Sequence, residues 1–192
     1  MTPPGATPEQ IREFVIAAHW DLPKVTAMLA ANPDLLTAPQ QWGDNDFETA
    51  IQAASHAGSP RVAEFLLEQG APMAIYTAAM LGRRQDVDEI LAADPDLIHA
   101  VGAHGIPLLP HAVFSGDAEL VAVLYERGAT AGGSMALSNA VARGHTEIVR
   151  WILEAGTPKL DWKNYEGKTV FDLATEHGHE EILQLLRGHS AA

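Results

Sequence analysis

The sequence predicts an all-α solenoid of about six helix-turn-helix units. Three observations carry the prediction. Five segments align on a glycine, at Gly58, Gly82, Gly116, Gly144 and Gly178. Before each glycine runs a short alanine-rich helix, and after it a second helix whose apolar residues recur at helical spacing. Most copies then close on Gly-Ala or on Asn/Asp-Pro-Asp, both helix terminators.

Taken in order, the first unit, about 11–36, is "FVIAAHWDLPKVTAMLAANPD", with Trp20 near the glycine slot. An N-terminal extension, 1–10, precedes it, and Thr7 is a good N-cap before "PEQIREF". The second unit, 47–71, is "ETAIQAASHAGSPRVAEFLLEQGA"; Ala53 and Ala54 let neighbouring helices approach closely. The third, 72–98, holds Ala78-Ala79 and the stripe Val87, Ile90, Leu91. In the fourth, 105–130, "PLLPH" puts Pro110 in a helix's first turn, where the missing N–H has no partner to lose. The fifth, 134–157, carries Ile148, Trp151 and Ile152, and the sixth, 167–188, turns polar in "HEEILQLLRGHSAA", as a terminal cap should. Residues 189–192 form a tail. Phe65, Leu66, Ile90, Leu124, Trp151 and Leu185 fall on core stripes of second helices. The glycines are read as left-handed residues that end the first helix and reverse the chain.

With "LATEHGHEEILQLL", "AVARGHTEIVRWILEAG" and "AASHAGSPRVAEFLLEQGA" in register, the chain resembles the ankyrin-repeat family from about Ile11 to Arg187. The Thr-Pro entry of the family pattern survives only as Thr169-Val170 and Thr49-Ala50. The alanine-rich style and "AANPDLL" endings resemble free-standing bacterial members. The resemblance implies an ankyrin-repeat α-solenoid with irregular β-turn fingers and, in function, a protein-binding scaffold.

The glycine-to-glycine steps are 24, 34, 28 and 34 residues, against a family period of ~33. Helix pairs need similar lengths in every unit, so the variation is assigned to the fingers. The 24-residue step deletes the finger between units two and three. What remains is three prongs, "TAPQQWGDNDFE", "HAVGAHGIP" and "KLDWKNYEG", separated by two notches.

The resemblance places the two residues before each glycine on the groove face. It marks His56, Met80, Leu81, Phe114 and Arg143, with the first unit's equivalent near Ala18 and His19. The prongs add Trp42, Asp44, Asp46, His104 and Tyr165, tryptophan and tyrosine being good anchors because they combine area with little side-chain entropy. Whether Met80, Leu81 and Phe114 form an exposed strip or are tucked away beside the missing finger stays open. Trp162 is read as pinning its own turn and Tyr165 as exposed at a tip.

Other chemistry is read as absent. "HGHEE" groups His177, His179, Glu180 and Glu181, but Gly-His belongs to the family pattern and is expected to bond turn backbone. "DNDFE" lacks the glycine and distant glutamate of a calcium loop. No metal or cofactor is expected, and the nucleophile-elbow, P-loop and zincin motifs are missing. His111 and Asn139 stand where the family places apolar residues and are read as hydrogen-bonded polar groups between helices. There is no cysteine, which fits a reducing cytoplasm. Net charge is −13, with more than half of the excess in residues 41–104, which disfavours nucleic acid and favours a partner with a basic patch. No signal-like or membrane-spanning run is present. The expectation is a non-enzymatic cytoplasmic module, a monomer or weak oligomer, that binds a protein through groove and fingers. Two alternatives stand beside it. One is a small-molecule receptor or enzyme with a site in a notch between units three and four, near Met80, Phe114 and His111. The other is self-assembly through the end units.

Overall fold

A computed structural model describes residues 5–190; expectations for residues 1–4 and 191–192 lie outside them. The described residues form twelve α-helices in six hairpins: α1 (Pro8–Ala18) with α2 (Leu22–Ala31), α3 (Ala50–His56) with α4 (Pro60–Glu68), α5 (Ile75–Met80) with α6 (Arg84–Ala93), α7 (Leu108–Ala112) with α8 (Ala118–Glu126), α9 (Gly133–Arg143) with α10 (Thr146–Ala155), and α11 (Val170–Glu176) with α12 (Glu180–Ser190). First helices stack in sequence order, α1 on α3, α3 on α5, α5 on α7, α7 on α9 and α9 on α11. The fold is thus an all-α repeat solenoid. Among the described residues no helix is long and apolar enough to cross a membrane.

Local chemistry sets the helix ends. Thr7 caps α1 in a reciprocal pair with Gln10, and Thr169 does the same with Asp172 at α11. After α2 and α6, the side chains of Asn32 and Asp94 accept from the N–H groups of Asp34 and Asp96, and the chain tightens into 3-10 turns. All five aligned glycines have φ between 63° and 72°. At Gly58 a side chain is doubly forbidden: besides the positive φ, an added Cβ would lie 2.5 Å from the Phe114 ring. Pro110 occupies the first turn of α7 without breaking it.

The core divides into two bodies that meet at unit three. The first is built on Phe14, Val25, Leu35, Ile51 and Leu66, and it includes Met80. The second runs from Ile75 to Leu186 through Leu124, Leu137 and Ile148. Leu66 and Leu124 are fully buried, while Phe65, Ile90, Trp151 and Leu185 pack half-buried against these cores. Exposed ion pairs link successive second helices, Arg84 to Asp117 and Glu119, and Arg150 to Glu181; pairs of this kind contribute little each.

The connectors differ as their lengths require. Only residues 69–74 separate α4 from α5, with both helices intact. After unit one a true hairpin forms, β1 (Gln40–Gly43) antiparallel to β2 (Asp46–Glu48). The prong after unit three does not stand apart from it. With the intervening finger missing, the 3-10 turn Ala103–Gly105 packs on β2, and the expected notch is closed.

Two polar residues between helices behave differently. Asn139 donates from its amide to the Pro110 carbonyl at 3.1 Å, as expected. His111 departs from expectation: it is 1% exposed, and neither ring nitrogen has a partner among the described residues. Its ring stands edge-on to Tyr76 at 5.3 Å. Burial, with a smaller contribution from His56, pushes its pKa down from 6.5 to about 3. The unfolded chain therefore binds a proton near pH 6.5 that the folded chain refuses until about 3, and stability falls as pH drops through that window. From pH 7 to pH 5, wild type is expected to lose about 2 kcal/mol more than His111→Leu in parallel denaturant titrations.

Candidate functional site

The site is built around Glu48, a carboxylate with 0% exposure. It ends β2 one residue before Thr49, the N-cap of α3. A register shift between Gln41 and Gly43 puts Trp42 in a bulge of the partner strand, and bulges re-aim side chains. The indole Nε1–H of Trp42 donates to Glu48 Oε2 at 2.6 Å. Arg12 of α1 lies over the indole ring, its guanidinium carbon 4.9 Å from the centroid.

Three histidines reach the other oxygen. His56, the last residue of α3, holds Nε2 2.5 Å from Glu48 Oε1. His104 Nε2 lies at 3.4 Å and His19 Nε2 at 3.8 Å from the same atom. His19 caps the C-terminus of α1, so it and His56 occupy corresponding ends of consecutive stacked helices. Their rings meet edge-on at 4.9 Å, and His56 meets His104 likewise at 5.2 Å.

Each outer histidine is oriented by its other nitrogen. His19 Nδ1 sits 3.0 and 3.1 Å from the carbonyls of Val15 and Ile16. Since carbonyls only accept, Nδ1 carries the proton. His104 Nδ1 is 2.7 Å from Asp46 Oδ2, and its backbone N–H donates to Asp46 Oδ1 at 3.0 Å. His104 also has φ 58°, alone among the described non-glycine residues in the left-handed region; such strain persists only where surroundings impose it.

Electrostatics follow from this packing. Burial drives the Glu48 carboxyl up, but bonds from His56 and Trp42 and nearby imidazoles outweigh it, and the group is held below the usual range. The bond from His104 holds Asp46 down as well. Burial and the neighbouring His56 lower His19, despite the attraction of Glu48.

The structure sorts the residues marked from sequence. Trp42, Asp46, His56 and His104 converge here. Asp44 is exposed in the hairpin turn, and Tyr165 is 95% exposed on the distant finger between units five and six. Three groove positions need correction. Met80 is 2% exposed, and Leu81 is half-buried against the same core. Phe114 lies beneath the Arg143 guanidinium at 5.0 Å. Arg143 is exposed but spent within the molecule, donating from Nη2 to the carbonyls of Ala57 and Gly58, each at 2.9 Å. The question left open by the sequence is thus decided for the tucked-away arrangement: Phe114 of unit four lies against Gly58 of unit two, and Arg143 of unit five reaches the same turn. His145 and His179 rest their rings against Gly116 and Gly144 of the preceding unit, and His177 stacks on His179 at 5.7 Å.

Sequence reasoning placed His19 only as the first unit's groove equivalent and gave Glu48 no role. The available signal was that His19 and His56 share a slot in adjacent copies, which stacking makes neighbours. Removing the central acceptor leaves the half-buried Trp42 N–H and His56 without the partner they share. Glu48→Ala is expected to cost about 3 kcal/mol in denaturant titration, with the Trp42 emission shifting to the red.

Comparison with known proteins agrees with the hairpin stack. Residues 109–192 match the model for ankyrin repeats in three copies. A stretch of 61 residues is 41% identical to a probable E3 ubiquitin-protein ligase, XBOS32, of Oryza sativa subsp. japonica; it covers 31% of this chain and 12% of that protein. His19, Glu48, His56 and His104 all precede residues 109–192. Residues 109–192 are ankyrin repeats, and helical hairpins of the same kind continue the stack back to Pro8.

Proposed function

We propose that the protein is a non-enzymatic, cytoplasmic binding module whose contact surface is the N-terminal corner where the first two prongs meet. Ankyrin repeats are generally protein–protein interaction modules, and they are typically non-enzymatic. The observation that carries the location is exposed apolar area. Trp20 is 70% exposed, Val101 58% and Phe47 49%. Trp20 follows His19, Phe47 precedes Glu48, and Val101 lies three residues before His104. All three thus belong to the segments that hold the histidine cluster, which fixes them on a rigid base. Exposed aromatic residues of this kind supply the few anchors that dominate binding energy.

The excess negative charge in residues 41–104 favours a protein partner with a basic patch. Tyr165 offers a second anchor on the far prong. The receptor or enzyme alternative loses its support at the notch, since Met80 is buried there and Phe114 is covered by Arg143. Similarity to 12% of a ligase transfers no ligase activity to this chain.

Capture from host extract on immobilised wild type tests the reading, alongside Trp20→Ala/Phe47→Ala. The double change is expected to weaken a saturable partner at least about tenfold. Retention should also fall as salt rises from about 50 to 300 mM. Partners retained equally by both forms would rule out this corner as the contact surface.

A further inference from the structure

We infer that Glu48, His19, His56 and His104 form a binding site for a zinc-class divalent cation, which ties the first helices of units one and two to the prong after unit three. The inference is independent of the protein-binding reading. Its first support is convergence. Ligand atoms of His19, Glu48 and His56 lie within 4.8 Å of one another, and His104 Nε2 approaches Glu48 Oε1 from the prong at 3.4 Å.

The second support is the direction of the lone pairs. His19 gives its Nδ1 proton to backbone carbonyls and His104 gives its own to Asp46. Each neutral ring then turns an acceptor nitrogen toward an oxygen that also only accepts. Something electropositive belongs between them. Two added protons would crowd cationic rings against His56, whose centroid is 4.9 Å from one ring and 5.2 Å from the other. A single dication satisfies His19, Glu48 and His56, whose ligand atoms already lie within 4.8 Å of one another, and His104 completes the set by moving closer to the other two imidazoles.

The third support is the surrounding shell. Metal-bound histidines almost always donate their other N–H to a carboxylate or a carbonyl. His104 has the first arrangement and His19 the second. The non-ligating oxygen of Glu48 is held by the Trp42 indole.

Geometry sets the adjustment required. Tetrahedral bonds of ~2.0–2.1 Å hold ligand atoms ~3.3 Å apart. The contact of Glu48 with His104 already has that spacing, and the one with His19, at 3.8 Å, is slightly wide. The pair with His56, at 2.5 Å, must open by roughly 0.8 Å as the ion displaces the shared proton. Three imidazoles and one carboxylate, without thiolate, suit zinc among the common ions. Four protein ligands leave no open position, so the ion's role is structural.

The full chain, stripped with chelator, is titrated with Zn2+ by calorimetry and with Co2+ by ligand-field absorption. One equivalent is expected, with Kd below about 1 µM, tetrahedral Co2+ bands and a raised Tm. His19→Gln or His56→Gln should weaken uptake at least ~100-fold, and the finger variants Asp46→Asn and His104→Gln, which leave the helix stack untouched, by at least ~10-fold. His177→Gln/His179→Gln should leave it unchanged. Saturation only above about 10 µM in wild type, unaltered affinity in both finger variants, or loss of binding in the His177/His179 variant would each overturn the site.

Discussion

Each helical hairpin here carries an apolar face that it cannot cover alone, and everything else in the chain accommodates that fact. Cover comes from the next hairpin, so the helices keep their lengths and their alignment from copy to copy. Alanines such as Ala53, Ala54, Ala78 and Ala79, all fully buried, set how closely first helices approach. Differences in spacing are then pushed into the connectors, which bury little. The link from Glu68 to Ile75 shrinks to a few residues while α4 and α5 remain whole.

That economy has a geometric consequence. Removing one finger brings its two neighbours within reach, and the prong carrying His104 settles onto the hairpin carrying Asp46 and Glu48. At the turn between α3 and α4, Phe114 lies against Gly58 from two hairpins along the stack, and Arg143 reaches it from three. A solenoid that in regular form contacts only nearest neighbours acquires next-nearest contacts at this point. Its groove is filled there and its prongs are joined.

A carboxylate with no exposed surface is costly unless its oxygens are matched. Glu48 has the Trp42 indole on one oxygen and His56 on the other, with His19 and His104 close behind. The groups come from two units and two prongs, so the cluster cross-links parts of the chain that the apolar stack alone leaves free. His111 shows the opposite case, a buried imidazole without a hydrogen-bond partner among the described residues, tolerated because it stays neutral.

By itself the sequence determined the hairpins, the five reversing glycines, the Thr7 cap, the first-turn place of Pro110 and the missing finger. These depend on periodicity, φ preference and missing N–H groups, all properties of residues near in sequence. It also marked Trp42, Asp46, His56 and His104, though as separate contacts for a partner and not as one cluster. Only the tertiary structure decided that Met80 is core, that Arg143 is a strut, and that Glu48 and His19 belong with those four. Each of those outcomes depends on how far neighbouring units move together when a connector is lost, a distance set by packing across the stack that no local pattern encodes.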